Sequence, residues 1–326
     1  MASLRDVARL SGYSIRTVSR VLGASGYAAS DTRAAVLAAA DRLGYRPNLA
    51  ARALRTGRSN EVLALLGDLD ELHVAKLRAC ELALRPDGLS VQVAFAEALR
   101  SAHLGELIDA RRPAAVVLLP GAGEALFLLP HLPPATAVVA VDPPAAWLPR
   151  LPATVDRVLI DREQGVYDAV LHLATQGRRR IGYAGKPVDT RIGGYRRAIR
   201  TVGHQPWVHE DPDCADEAAM GRRVAALLHE TERPDALVLH SDVMACGLLQ
   251  ALQDSPLRIG RDLALIGFDD RSVAALTVPA LSTVAQPSSA VGTSAARLLS
   301  DRLAGQPGAP GRQVVHPTTL VLRASG

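Results

Sequence analysis

Cysteine, aromatic side chains and long apolar runs are all scarce in this chain of 326 residues, and each scarcity removes a class of protein. Cys80, Cys214 and Cys246 are odd in number, scattered, and form no CxxC pair. They suit buried thiols in a reducing compartment better than a disulfide framework or a zinc site. The apolar stretch without a charge from Ala125 to Val141 is broken by Pro130, His131, Pro133 and Pro134, so it reads as strand plus loop and not as a membrane span. Leu4, Arg5 and Asp6 near the start leave no room for an apolar signal core, so a cytoplasmic location with no membrane partner is expected. Gly121-Ala122-Gly123 lacks the third glycine of a dinucleotide fingerprint, Gly185-Lys186-Pro187 is not a phosphate loop, and His204 and His209 lack HExxH spacing. The acidic run Glu210, Asp211, Asp213, Asp216 and Glu217 has neither the loop glycine nor the closing glutamate of a calcium hand and reads as a solvated loop. No order of serine, histidine and acid suggests a hydrolase. No catalytic residue, metal or cofactor is therefore expected.

What is present divides the chain. Residues 1–60 hold ten arginines against Asp6, Asp31 and Asp41, while the remainder is slightly acidic. A basic head on a near-neutral body points to a polyanion partner for the head, with a solvated basic surface as the plain alternative. Ser3 can cap a helix with Asp6 as its capping-box partner and Leu4, Val7 and Ala8 on one face, ending near Ser11-Gly12. Ser14 can cap a second short helix with Val18, Val21 and Leu22 inward. Two short helices joined by a glycine-containing turn form a helix-turn-helix pattern. Ile15 and Arg16 then stand at the N-terminal end of the second helix, with Arg20 one turn on, where arginine can grip guanine with two bonds. Ser30 or Asp31 opens a third helix with Val36, Leu37, Ala40 and Leu43 inward, closed by Gly44. A three-helix module that docks on protein is the plainer alternative, and the basic charge of the head argues against it.

Asn48 is a good N-cap for the short run Leu49 to Arg55, which is marginal as an isolated helix and is expected to order only on DNA beside its twin from a second chain. The elements Asp6-Val7-Ala8, Ser11-Gly12, Thr17-Val18-Ser19-Arg20-Val21-Leu22, Leu43-Gly44-Tyr45-Arg46-Pro47-Asn48 and Ala51-Arg52-x-Leu54 together resemble the headpiece of the lactose-repressor/galactose-repressor family. The resemblance implies that Ile15, Arg16 and Arg20 read bases and that Ser14, Ser19, Tyr27 and Asn48 contact or position phosphates. Thr17, Ala51 and Arg55 complete the implied DNA-contacting set, and Leu54 falls on the leucine that wedges into the central operator step. Gly23 stands where the family usually has asparagine. The implied partners are double-stranded operator DNA, a second copy in a homodimer, and a small-molecule effector such as a sugar, a sugar derivative or another polar metabolite.

From residue 61 onward, strand-like runs alternate with amphipathic ones: Val62–Leu66, Val91–Phe95, Ala114–Leu119, Thr136–Val141, Arg180–Tyr183, Ala236–Leu239 and Leu263–Gly267, with helices at Arg162–Gln176, Tyr195–Val202, Asp216–His229 and Asp242–Gln253. Such alternation implies an α/β body of parallel sheets, more than one small domain holds. Two lobes around a cleft form the periplasmic-binding-protein architecture, which closes by hinge motion. The expected organisation is an all-α headpiece at 1–60, with a hinge helix at about 48–55, and a two-lobed sensor at 61–326. By resemblance the lobes are about 61–161 plus 289–316, and 162–288 plus 317–326.

In the expected cleft, Arg191, Ser241 and Asp269 match positions in or near the family's effector pocket, and Asp68 and Gln164 are further candidates. Arginine and carboxylate supply the fixed donors and acceptors that a sugar or nucleobase needs. Arg191 and Asp269 suit a structural ion pair as well, and Asp242 reads as the cap of its helix. After the first strand the chain reads Gly67-Asp68-Leu69-Asp70-Glu71-Leu72-His73-Val74, without the aromatic residues that pack on ligand in most relatives. Trp147 and Trp207 are the remaining candidates for a stacking ring, and the core is the plainer place for both. A cytoplasmic solute-binding protein, an α/β enzyme and a corepressor-dependent regulator are the alternatives to a repressor that its effector releases.

Overall fold

A computed structural model describes residues 2–22, 29–45, 59–96, 101–187, 190–211, 216–229, 232–305 and 308–326. Three helices form the head: α1 (Leu4–Ser11), α2 (Ile15–Leu22) and α3 (Ser30–Arg42). Ser3 caps α1 through a capping box with Asp6, and Gly12, at φ 75°, ends it in the left-handed conformation that glycine adopts without strain. Val7, Ala8, Val18, Val21, Val36, Ala39 and Ala40 make a small core of their own. Helix α3 opens at Ser30, as expected, with Ala29 as an N-cap that makes no side-chain hydrogen bond. One expectation for α3 is corrected. Leu37 is exposed, because the inward face runs through Val36, Ala39–Ala40 and Leu43, and Leu37 lies a helical step of about 100° away from it.

Two six-stranded sheets follow. The first contains β1 (Glu61–Leu66), β2 (Ser90–Phe95), β3 (Ala115–Leu118), β4 (Ala137–Val141), β5 (Asp156–Asp161) and β11 (Gln313–Pro317) in the order β11-β5-β4-β3-β1-β2. All its pairings are parallel. The second contains β6 (Ile181–Gly185), β7 (Trp207–Glu210), β8 (Ala236–Leu239), β9 (Ala264–Asp269), β10 (Ser282–Ala285) and β12 (Thr319–Val321) in the order β12-β10-β9-β8-β6-β7. Only β12 runs antiparallel there. A parallel sheet needs cover on both faces. Accordingly Val62, Ala64 and Leu66 of β1 point into one core and Leu63 and Leu65 into the other.

The covering helices are α4 (Glu71–Leu84), α5 (Ser101–Arg111) and α10 (Ser288–Ala304) on the first sheet, and α6 (Arg162–Thr175), α7 (Thr190–Val202), α8 (Glu217–Leu227) and α9 (Asp242–Ala251) on the second. Close approach of α4 and α10 depends on Gly292, where any Cβ would meet the carbonyl of Lys76. The chain passes between the sheets at Asp161–Arg162, between β10 and α10, and between β11 and β12. The sides of the two sheets reached by the C-terminal strand ends therefore face one another across these crossings.

Candidate DNA-reading helix and ligand cleft

The start of α2 is fixed by Ser14, whose Oγ accepts from the Thr17 amide at 3.1 Å and lies 2.9 Å from the Thr17 hydroxyl. Val18 and Val21 root the helix in the head core. That leaves Ile15, Arg16 and Arg20 exposed, with Thr17 and Ser19 half-buried between them. Among the described residues neither Arg16 nor Arg20 is tied to a carboxylate. An open helix face with free guanidinium groups is what direct readout of a groove requires. Tyr27, Asn48, Ala51, Leu54 and Arg55, together with Gly23, lie outside the described residues.

The second site is built from residues at the C-terminal ends of strands, where open α/β sheets collect ligand-binding groups. Asp142 follows β4, Arg162 follows β5, Lys186 follows β6, His240 and Ser241 follow β8, Asp269 closes β9 and Gln286 follows β10. Asp142 accepts from Lys76 Nζ at 2.8 Å and from Arg162 Nη2 at 2.6 Å, with Arg162 Nη1 2.5 Å from its other oxygen. Burial alone would raise the pKa of Asp142, but Arg162 and Lys76 hold it well below the usual carboxylate range. Lys76 also donates to Gln286 Oε1 at 3.2 Å, and Gln286 Nε2 donates to Asp269 at 2.5 Å.

Asp269 is buried 3.8 Å from Arg191, whose guanidinium lies over the Phe268 ring at 4.2 Å. Burial pushes the carboxyl of Asp269 up against the pull of Arg191 and Arg271. Arg271 turns to the other lobe and donates to Asp70 at 2.5 Å, while Ser272 donates to Glu71 through both its amide and its hydroxyl. Asp142, Asp269 and Asp270 all have positive φ, at 54°, 106° and 55°. Left-handed backbone outside glycine is held in place by its surroundings and gathers at working sites. Pro120, Asp142, Pro143, Leu148, Ile160, Arg162, Lys186, Thr190, Arg191 and His240 are among the residues that line a cavity of about 440 Å³ here.

The structure brings Arg191 and Asp269 together, as the sequence reading expects of a pocket or an ion pair. The other candidates make contacts of their own. The Asp68 side chain is 86% exposed and 3.9 Å from His73. Gln164 sits on the surface, donating to Asp168 and accepting from Arg197, both at 2.7 Å. Ser241 is the N-cap of α9, accepting from the Met244 amide, and its hydroxyl donates to Glu217 at 2.5 Å. The expectation that Asp242 caps this helix is therefore off by one residue. Asp242 is instead buried, accepting from Thr283 Oγ1 at 2.6 Å and from the Arg271 amide at 2.7 Å. Trp147 is buried in the first-lobe core and Trp207 packs against the second, so neither lines the cavity. Lys76, Asp142, Arg162, Lys186, Arg271 and Gln286 escaped the sequence reading. The strand-end rule would have found all but Lys76 and Arg271.

An exposed reading helix ahead of a two-lobed cleft defines a DNA-binding regulator that senses a small molecule. Comparison with known proteins agrees. Residues 3–48 match the profile of bacterial regulatory proteins, lacI family, and residues 170–326 match a periplasmic binding protein-like domain. The HTH-type transcriptional repressor PurR of Aliivibrio fischeri is 27% identical over 316 residues, covering 93% of this chain and 92% of the relative. Catabolite control protein A of Priestia megaterium is 28% identical over 317 residues, covering 91% of each. The lac repressor dimer bound to operator and the anti-inducer ONPF superposes with a TM-score of 0.73 at 23% identity, over 99% of this chain and 98% of that one. The regulator CelR in complex with cellobiose gives 0.70 at 27% identity, over the full length of both. The chain thus carries a lacI-type helix-turn-helix domain ahead of a periplasmic-binding-protein-like domain. It is a DNA-binding transcriptional regulator and not an enzyme.

Proposed function

We propose that this regulator works in the cytoplasm, at the nucleoid, as a homodimeric repressor that leaves a roughly palindromic operator when a small polar metabolite occupies its cleft. The observation that carries this reading is the free face of Ile15, Arg16 and Arg20 on the same chain as a cavity walled by charged residues of both lobes. The working units are residues 1–60, with a hinge helix at about 48–55, and two lobes at 61–161 plus 289–316 and 162–288 plus 317–326. Ser14, Thr17, Ser19, Tyr27, Asn48, Ala51 and Arg55 support the grip on DNA, and Leu54 wedges the central step. Leu276 and Val278, 78% and 93% exposed on the loop before β10, offer apolar surface for the second copy.

Arg16→Ala or Arg20→Ala is expected to relax base preference by about 1–3 kcal/mol, measured by fluorescence anisotropy on operator and on random duplex. Equal loss on both DNAs means that the arginines touch only phosphate, and the readout assignment fails. Ligand and operator must weaken one another by the same factor. A ligand that tightens operator binding makes the protein a corepressed regulator.

A further inference from the structure

We propose that the metabolite held in this cleft is a small organic anion, a carboxylate or phosphate ester on a compact aliphatic body, and not a neutral sugar; this rests on the cleft reading above. The charged and polar side chains on the described wall are Arg162, Lys186, Arg191, Thr190, His240 and Asp142. Arginine and lysine donate hydrogen bonds and accept none. Asp142 is the one carboxylate among them, and its two oxygens already hold Arg162 and Lys76 at 2.5 and 2.8 Å. A sugar hydroxyl presents a hydrogen that needs an acceptor, and this wall offers few. A carboxylate or phosphate presents only acceptors, which suits the donors that Arg162, Lys186 and Arg191 bring to one cavity beside their own partners Asp142, Glu217 and Asp269.

The rest of the wall agrees. Pro120, Pro143, Pro144, Leu148, Leu159 and Ile160 supply aliphatic surface without a ring on which a pyranose or base could stack. Lysine usage is an independent sign. Lys76 and Lys186 are the only lysines in the chain, every other basic residue being arginine, and both sit at this cleft. Lys76 is pinned between Asp142 and Gln286, whereas Lys186 stands at the mouth on Glu217, 2.8 Å away and partly exposed. An ammonium on a flexible stem can follow an oxygen whose position varies, which a planar guanidinium fork does less well.

The two lysines also make the test direct. Reductive methylation with ¹³C-formaldehyde keeps their charge and gives one carbon signal for each lysine of the full-length protein. The probes are glucose, gluconate, glucose 6-phosphate, inorganic phosphate and 2-oxoisovalerate, with melting temperature read in parallel. At least one organic acid or phosphate ester is expected to move the Lys186 signal and raise the melting temperature, with glucose silent. Arg191→Gln should weaken that ligand by about tenfold or more. Lys186→Gln, at the partly exposed mouth, carries the same test if Arg191→Gln does not fold. Gluconate against glucose 6-phosphate separates carboxylate from phosphate recognition. A response to glucose alone, or no response to any anion, overturns the proposal. Thr190→Trp, which fills the cavity, separates the two readings. A neutral ligand lost in that variant leaves the cleft standing and removes the anion, while any ligand bound equally well by it removes the cleft itself.

Discussion

Replacing Asp142 with asparagine is expected to destabilise the sensor by about 3–5 kcal/mol, the usual loss when one partner of a buried ion pair is removed. Its side chain and that of Lys76 are each 3% exposed, and Arg162 is 18% exposed. The substitution removes the negative charge between Lys76 and Arg162, leaves them one amide oxygen where they had two carboxylate oxygens, and turns an NH2 donor towards a cation. Arg162 can turn partly to water, which favours the lower end of the range. Urea unfolding followed by circular dichroism at pH 7 measures the loss as a shift of midpoint at constant slope. The double variant Lys76→Met with Asp142→Leu removes both buried charges and should recover most of it, because a well-packed apolar pair avoids the desolvation cost. The effect has a pH signature. The folded-state pKa of Asp142 is depressed, so its stabilisation is complete above the unfolded value of about 3.9 and is lost as pH falls below it. The gap between wild type and Asp142→Asn should hold from pH 8 to about 5 and shrink below about 4. A loss under about 1 kcal/mol at pH 7, or a gap unchanged in acid, refutes the account of Asp142 as the anion that joins α4 to α6.

Asp242 acts in the opposite sense. Burial pushes it up to about 7 against the hydrogen bonds from Thr283 and Arg271, and Asp269 and Asp270 add to the rise. Its contribution is therefore full below about pH 4 and fades as pH climbs through 7, so Asp242→Asn should gain melting temperature relative to wild type more at pH 8 than at pH 5. Gly292→Ala drives a methyl group onto the Lys76 carbonyl and should cost about 1–3 kcal/mol in urea unfolding by forcing α4 and α10 apart; an unchanged midpoint would show that the helices slide freely. Ser325→Ala removes a buried hydroxyl that donates to the Leu265 carbonyl at 2.7 Å and accepts from the Ser282 amide at 2.8 Å, for an expected loss of about 1–3 kcal/mol seen as a lower melting temperature.

Elements buried by their own apolar residues were legible, and those buried by distant partners were not. β8 and the apolar runs of β1 and β4 read directly from sequence because both faces are covered. β5 begins with Asp156 and Arg157, and Asp156 enters the interior only because Arg302 and Arg312 bind it, one at 2.6 Å and the other at 3.0 Å. α4 turns His73 and Lys76 inward, which breaks its apolar stripe. Asp70 and Asp142, one of them 66 residues away, make that burial tolerable. α10 presents Gly292, Ala295 and Ala296 where a larger apolar stripe would have announced a helix. The same reason limits the cleft. Arg191 and Asp269 carry a local pattern, but Lys76 meets Gln286 across 210 residues, and no periodicity reports such a pair.

How an occupied cleft reaches DNA follows from the placement of β1. Its N-terminal end directly follows the segment that leads from the head. Just before the strand, Ser59 is tied to the Arg112 carbonyl at 3.0 Å through its amide, and Asn60 to the Gly88 carbonyl at 3.2 Å. At the other end, Gly67 donates to the Pro120 carbonyl at 3.1 Å, and Asp70 and Glu71 take Arg271 and Ser272 from the second lobe. β1 lies inside the sheet between β2 and β3, so its ends cannot move independently. Arg271 and Ser272 do not line the cavity; their contacts depend on the angle between the lobes and not on the ligand's own atoms. In the proposed mode of action, a ligand held by Arg191 and Lys186 on one lobe and by the Pro143–Leu148 wall on the other would favour one such angle. Because β1 is tied at both ends within the first sheet, a change of that angle would carry Ser59 and Glu61 with the sheet. The ligand shifts the operator equilibrium only by the difference in its affinity for the two angles. Groups that contact ligand from both lobes at once are therefore the ones that set the strength of the switch, more than those that merely tighten binding on one side.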